Sequence, residues 1–153
     1  MKTVITPLAA LALFVATALI AATSLADDVG TIKISRGDAE IVRSGSRLPA
    51  DVGASLKVSD SIVTGANGMV GMTLLDNTRL TAGPNTTLDL NTYRFDMTTH
   101  AGEMDASVKR GSLSVISGKI AKASPDGVQF RTPTVTLGVR GTEFIIDAGQ
   151  GAD

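Results

Sequence analysis

Apolar and polar residues alternate in short runs along most of the chain, with the period of two expected of strands that bury one face. The alternation is most regular near the C-terminal end, where a buried row is predicted from Val135, Leu137 and Val139. Thr132-Pro133 opens this predicted strand, because proline donates no backbone hydrogen bond. Glycines on both sides of Arg140 permit a bend or bulge.

A second strand is predicted from residue 143 to residue 147. Phe144 and Ile146 would continue the buried row, and Glu143 and Asp147 would point outward. Ile145 also falls on the outer face, where an apolar side chain needs cover of its own.

The earlier chain repeats this style of short strand and tight turn. Apolar residues at 29, 32 and 34 begin a hairpin that turns at Gly37-Asp38, and from Gly65 to Leu90 turns recur about every eight to ten residues. This spacing predicts an all-β fold of many short strands, as stacked solenoid-like or sandwich-like sheets, or as a barrel. Residues 102–110 are predicted as a strand, since a two-turn helix without a clean apolar stripe is marginal in water. Further strands are expected around Leu113, Val115 and Ile120.

The chain of 153 residues divides into three predicted parts. Residues 1–26 resemble a cleavable signal peptide, with Lys2, an apolar run and the small residues Ser24-Leu25-Ala26; an uncleaved membrane anchor is the alternative. Residues 27–147 form one β domain, and residues 148–153 a frayed tail. We therefore expect a periplasmic or secreted protein of a Gram-negative type of envelope, without stable membrane insertion after cleavage.

Composition removes several classes of function. Residues 1–26 hold one of the 14 basic residues and none of the 15 acidic ones, so the remaining chain has a net charge near −2. This negative charge argues against nonspecific nucleic-acid binding, which requires a surplus of basic residues. Cysteine is absent, and His100 is the single histidine, which excludes the usual zinc ligand sets. We expect no cofactor and no metal, although oxygens at Asp76-Asn77 and at Asn85 to Asp89 leave a calcium site as an alternative to simple turn formation.

Catalysis is not expected either. His100 lies in a polar predicted turn, no Gly-x-Ser-x-Gly elbow is present, and no carboxylate pair stands out. Two short motifs are interpreted as chance matches. Ser117-Gly118-Lys119 lacks the glycine spacing and the Ser or Thr of a phosphate-binding loop, and Arg36-Gly37-Asp38 lies at a predicted hairpin turn.

The strongest local charge bias is basic. Between residues 109 and 140 six basic residues accompany one acid, Asp126. If the strands stack, part of this set would form a binding patch for an acidic partner; the alternative is an ordinary solvated surface. The candidate binding residues are Lys109, Arg110, Lys119, Lys122 and Arg131. Arg140 is assigned a fold-holding role instead, because its five donors can satisfy several loop carbonyls.

The C-terminal segment contains a motif made of Thr132-Pro133, then Gly138, Val139, Arg140, Gly141 and Thr142, an acidic residue and Phe144. This motif resembles the signature of FecR-like domains. Residues 64–90 and 109–123 resemble the strand-turn units of the same family. The resemblance implies stacked, solenoid-like β-sheets, with Gly138, Arg140, Gly141 and Thr142 as a fold-holding signature.

The resemblance also implies an extracytoplasmic function in the regulation of iron transport. Such domains receive a signal from an outer-membrane receptor and pass it to a sigma factor across the inner membrane. Here a predicted signal peptide stands in place of the anti-sigma segment and the transmembrane helix, so we expect a stand-alone domain. Our first hypothesis is a non-enzymatic binding or sensing module with an envelope protein as partner. The second is a structural β module for envelope assembly, whose strand edges allow self-association.

Overall fold

The computed structural model describes residues 27–150, which consist mostly of β-strands. The strands are β1 (Asp28–Arg36), β2 (Ala39–Arg43), β3 (Ser46–Pro49), β4 (Ser55–Lys57), β5 (Ser61–Thr64), β6 (Met69–Leu74), β7 (Arg79–Ala82), β8 (Thr87–Phe95), β9 (Gly102–Ile116), β10 (Val128–Arg131), β11 (Thr136–Gly138) and β12 (Glu143–Gly149). A short helix α1 (Lys119–Ala123) and a 3₁₀ turn (Pro125–Gly127) lie between β9 and β10. The all-β prediction is confirmed, including a strand over residues 102–110. The predicted signal peptide, residues 1–26, lies outside the described residues.

The strands form one sheet that curls until two halves face each other. The first half-sheet has the order β3-β2-β5-β8-β9, followed by β10 and β11. The second half-sheet has the order β4-β1-β6-β7-β9-β12. Strand β9 belongs to both halves, because its N-terminal arm pairs with β8 and its C-terminal arm with β7 and β12. All neighbours are antiparallel except β9 and β10.

The chain crosses between the half-sheets at a row of glycine-containing corners. They lie near Gly37, Gly65, Gly83 and Gly111. Gly111 has φ +81°, and a Cβ there would lie 2.3 Å from Oγ1 of Thr86. The buried Thr86 hydroxyl accepts a hydrogen bond from the Ser112 amide at 3.0 Å and donates one to the Ser112 carbonyl at 3.1 Å. The Thr86 side chain therefore satisfies the Ser112 amide and carbonyl where the bend interrupts strand pairing.

The core lies between the half-sheets and is built from the inward side of each strand. Ile32, Ile62, Leu88, Leu113 and Phe130 are all fully buried. Burial of one such side chain contributes roughly 1.5–3 kcal/mol. The period-two pattern of the sequence thus corresponds to this inner face.

Helix α1 closes the side of the curl opposite the corners. Its Ile120 is fully buried, and the Ile120 amide donates to Oδ2 of the buried Asp76 at 3.2 Å. Asp76 also accepts hydrogen bonds from the Thr78 hydroxyl at 2.7 Å and from the Tyr93 hydroxyl at 2.9 Å. Burial, together with the Asp76 charge, raises the pKa of Tyr93. The prediction of a strand around Ile120 is wrong, because the backbone turns at Gly118, where a Cβ would lie 2.3 Å from the Asp76 carbonyl oxygen.

The predicted buried row near the C-terminus is also wrong in part. Val135 and Leu137 are 50% and 36% exposed, and only Val139 is buried. The backbone turns where the Thr132 amide donates to the Val135 carbonyl at 2.8 Å, so β11 returns along β10 at the edge of the first half-sheet. Strand β12 continues to Gly149, through two residues expected in the tail, and residues 151–153 lie outside the described part.

Candidate interaction surface

The five basic residues predicted to bind a partner lie in two regions, because Arg131 is paired with Ser107 of β9, two residues from Lys109. Lys109 and Arg110 are at the bend of β9, Lys119 and Lys122 are on helix α1, and Arg131 ends β10. The helix packs near the start of β9, where Ile120 approaches Gly102, and so lies far along the strands from the bend. These residues therefore do not form one basic patch.

Two of the five basic side chains are paired with acids on the outer face of the first half-sheet. Nζ of Lys109 lies 2.6 Å from Oδ2 of Asp89. Nε and Nη2 of Arg131 bond Oδ2 of Asp105 at 2.9 and 2.7 Å. Burial alone would raise the pKa of Asp105, but hydrogen bonds from Arg131 and Asn91 hold it below its ordinary value. This face is a network of compensated charges, which gives it little net field for an acidic partner.

Two of the basic candidates line clefts, Arg131 a smaller one beside β9 and Arg110 a larger one. An open cleft of about 680 Å³ lies over the ends of β2, β3 and β5 and is lined by Arg110, Asp38, Glu40 and Arg47 among others. Glu40 and Arg47 form an ion pair across it. Because the cleft holds charges of both signs, its composition selects neither an anion nor a cation.

The two chance motifs have structural uses. The amides of residues 117, 118 and 119 donate to the Thr142 carbonyl, the Thr78 hydroxyl and the Asp76 carbonyl, so this segment presents no amides to a phosphate. Gly37 has φ +62° and lies at a corner, where the Asp38 amide bonds the Asn67 side chain at 3.1 Å. Both segments hold the curl together.

His100 lies in an exposed turn, with its ring 6.1 Å from the Phe95 ring in a stacked arrangement. Its φ of +62° completes a turn in which the Asp96 carboxylate accepts the amides of Thr98 and Thr99. Within residues 27–150, no group of three His, Asp or Glu side chains could hold a metal ion, and no helix has the length and apolarity to cross a membrane.

The most unusual feature of the described chain is one edge of the curled sheet. Each half-sheet has an edge strand at either end, and three of these four strands have only three or four residues: β3, β4 and β11. Strand β12 has seven residues, and β9 is its one strand partner in the described range. We call the unpaired side of β12 the open edge.

The side chains of β12 alternate cleanly between the two faces. Phe144 and Ile146 point inward, where Phe144 packs edge-on against Phe130 with ring centroids 5.7 Å apart. Glu143, Ile145 and Asp147 are exposed on the outer face, and Ile145 is 75% exposed. The core holds the strand in place, and its outer row has no cover.

Residues 60–152 match the family model described as FecR protein, which is more than half of the chain. This chain belongs to the FecR family. FecR domains are regulatory domains of an extracytoplasmic type. Comparisons with curated proteins and with solved structures gave no match. The FecR match begins just before β5 and includes the open edge, whereas β1 to β4 precede it.

The FecR signature residues lie on the segment that leads into β12. Arg140 is exposed, and its Nη2 lies 3.1 Å from Oδ1 of Asp126, which is also exposed. The hydrogen bond of its side chain therefore goes to a carboxylate and not to loop carbonyls. Gly138 and Gly141 have open space where a Cβ would stand. The carbonyls of Gly141 and Thr142 accept the Ser117 hydroxyl and amide, both at 2.8 Å. The backbone of the signature, more than its side chains, thus fastens β12 to the end of β9.

Sequence reasoning did not select the open edge as the site. The available signal was Ile145, an apolar residue on a predicted outer face. The pairing order of the strands was also needed to identify the site. A strand of the same sequence in the interior of the sheet would have a neighbour on both sides and no unpaired edge.

Proposed function

We propose that this FecR-family chain is a non-enzymatic binding and sensing module that acts outside the cytoplasm and engages another protein through the open edge. The observation that carries the proposal is the seven-residue strand β12 with an unpaired side and an exposed outer row. Membership of a family of regulatory, extracytoplasmic domains supports it.

The physical reason is the chemistry of a strand edge. An edge strand presents alternating amides and carbonyls without partners, and an extended segment of another protein can complete them. Strands of three or four residues offer fewer such groups than a strand of ordinary length, whereas the seven residues of β12 exceed that length.

The place of action follows from the predicted signal peptide. After cleavage behind Ala26 the domain would be released into the periplasm or outside the cell. The partner would then be an envelope protein, either an outer-membrane receptor or an inner-membrane regulator.

A binding function without turnover also agrees with how polar groups are used. The buried carboxylates of Asp60 and Asp76 accept hydrogen bonds from neighbouring strands and loops. His100 lies in an exposed turn and stacks on Phe95. These groups have structural roles, and the proposal assigns none of them to catalysis.

A photo-crosslinking amino acid at position 145, in the envelope of the host, tests the proposal. We expect one dominant crosslinked envelope protein, identified by mass spectrometry. The matched control is the same amino acid at Val52, which is 63% exposed in the loop between β3 and β4. Equal capture from both positions, or none from position 145, would refute an interaction at the open edge.

The structural alternative keeps one supporting observation. Arg47 and Lys57 lie at the end of the sheet opposite the acidic residues of β12, so copies could join head to tail. Both cations are already paired, Arg47 with Glu40 and Lys57 with Asp28, which favours a different partner. Self-crosslinks alone, increasing with protein concentration, would support assembly instead of sensing.

A further inference from the structure

We infer that the open edge selects an extended segment in which two basic side chains flank an apolar one at every second position. This inference rests on the proposed function and adds the chemistry of the partner. It follows from the order of charges along β12 and from what lies beside them.

The outer row of β12 reads acid, apolar, acid. Glu143, Ile145 and Asp147 occupy alternate positions, each roughly 6.6–6.8 Å from the next. A strand added antiparallel to β12 places three of its own side chains directly opposite, with Cβ atoms about 4.5–5.5 Å apart. Basic residues at the two outer positions and an apolar residue at the centre are the complementary set.

The two carboxylates are not neutralised by the strand already paired with β12. Opposite Glu143 is Ile116, and opposite Asp147 is Ser112. The next residue across the sheet, opposite Ile116 on β7, is Arg79. Its backbone is two strand spacings, or roughly 10 Å, from that of Glu143. One oxygen of Asp147 accepts the Gly149 amide at 2.8 Å, which orients the carboxylate, and no ion pair with a cation is found for it among the described residues. Both negative charges therefore remain available to a partner.

The central position favours an apolar residue because Ile145 stands above small neighbours. Ser114 lies directly opposite, followed across the sheet by Thr81 and Gly71. None of these three covers Ile145, so an apolar side chain on an added strand would bury surface that is otherwise exposed.

The inward positions of the added strand would also be apolar. They would lie beside Phe144 and Ile146, at the end of the core. The complete preference is a basic residue, three apolar residues and a second basic residue.

A second copy of β12 does not fit this pattern. Two-fold antiparallel pairing centred on Ile145 would place Glu143 of each copy opposite Asp147 of the other. Like charges directly opposite are destabilising in a sheet. The edge is therefore suited to a different chain.

The test uses the purified full chain and three synthetic nine-residue peptides. The first has the core Lys-Val-Val-Val-Lys, the second replaces both lysines with glutamates, and the third is the first with alternate backbone amides methylated. We expect measurable binding of the first peptide, with binding of the other two weaker by about tenfold or more. Hydrogen exchange should show new protection in residues 143–149, and added salt should weaken binding.

The matched variants separate charge from folding. Glu143→Gln with Asp147→Asn removes two charges and keeps an acceptor for the Gly149 amide, so affinity for the basic peptide should fall about tenfold. Glu103→Gln with Asp51→Asn removes two charges elsewhere and should change affinity less than twofold. The inference is overturned if the two double variants behave alike, if no peptide binds, or if protection appears outside β12. Capture of an envelope protein at position 145 that is unaffected by Glu143→Gln with Asp147→Asn would overturn the inference and leave the proposed function intact.

Discussion

The two ends of the curled sheet differ in their edge strands, because one end has the short strands β3 and β4 and the other has the short β11 and the long β12. At the end that precedes the FecR match, β3 and β4 are short, β3 ends in Pro49, and both carry ion-paired cations. Short length, proline and charge are the features by which natural sheets block further pairing. At the other end, β12 is seven residues long, contains no proline and exposes an isoleucine.

The difference separates stability from interaction. We call the end with β3 and β4 the blunted end. Backbone hydrogen bonds stabilise it, because the Ile32 amide of β1 donates to the Ala54 carbonyl and the Gly53 amide donates to the Ile32 carbonyl, both at 2.9 Å. The end with β12 is fastened by Phe144 and Ile146 and keeps its outer side free. Substitutions at the two ends should therefore affect different properties.

The largest effect is expected at the blunted end, from Asp60→Ala. The fully buried Asp60 accepts hydrogen bonds from the Arg43 guanidinium at 2.7 and 2.8 Å and from the Lys57 amide at 2.8 Å. Removing one partner of such a pair costs about 3–5 kcal/mol, and we expect about 3 kcal/mol because the Arg43 side chain is 30% exposed. Urea denaturation measures the change in the free energy of unfolding.

The control for this prediction is Asp51→Ala, at an exposed loop position of the same end. Its effect should stay within about 0.5 kcal/mol. A loss below about 1 kcal/mol for Asp60→Ala would mean that Asp60 does not fasten this end.

Phe144→Ala should have a smaller and more local effect at the open edge. Deleting a buried phenylalanine side chain costs about 3–5 kcal/mol, and a half-buried one about half of that. We expect a loss of about 2 kcal/mol, with faster hydrogen exchange in β12 and little change in β1 to β6. Phe95→Ala, a half-buried aromatic in β8, is the matched control and should leave exchange in β12 unchanged. Uniformly faster exchange in the Phe144 variant would show that this end does not open separately.

Much of the fold was accessible from the sequence, since alternation along Gly65 to Leu90 records which side of each strand meets the core. The signature also led to the correct family. Val135 and Leu137 were placed wrongly because alternation reports a strand but not whether a neighbour covers its face. The open edge was not selected from the sequence for a related reason. Lys109 and Arg131 meet acids from other strands, and those pairings depend on register.

The third prediction concerns the ion pair between Arg131 of β10 and Asp105 of β9, which stabilises the first half-sheet near the open edge. Asp105 has a pKa held below its ordinary value in the folded protein, so it contributes stability above the unfolded value near 3.8. That stability is lost as pH falls through the folded pKa. Arg131→Ala should therefore weaken the dependence of unfolding free energy on pH between pH 5 and pH 3.

The control is Lys122→Ala, which also removes one cation, from the exposed side of helix α1. Its pH dependence over the same range should match the wild type. If the pH dependence of the Arg131 variant also matches that of the wild type, the ion pair between Arg131 and Asp105 does not stabilise the pairing of β10 with β9.

The smallest stability effect is expected from Arg140→Ala, although Arg140 belongs to the signature that identifies the family. In its ion pair with Asp126, the Arg140 side chain is 78% exposed and the Asp126 side chain 91% exposed. Such exposed pairs contribute little to the free energy of unfolding. The free energy of unfolding should change by no more than about 0.5 kcal/mol. A larger loss would support the fold-holding role predicted from sequence. If stability is unchanged but crosslinking at position 145 falls, the arginine acts on the partner side of the open edge. The signature would then mark an interaction, and the contrast between the two ends would extend from the strands to the loop that leads into β12.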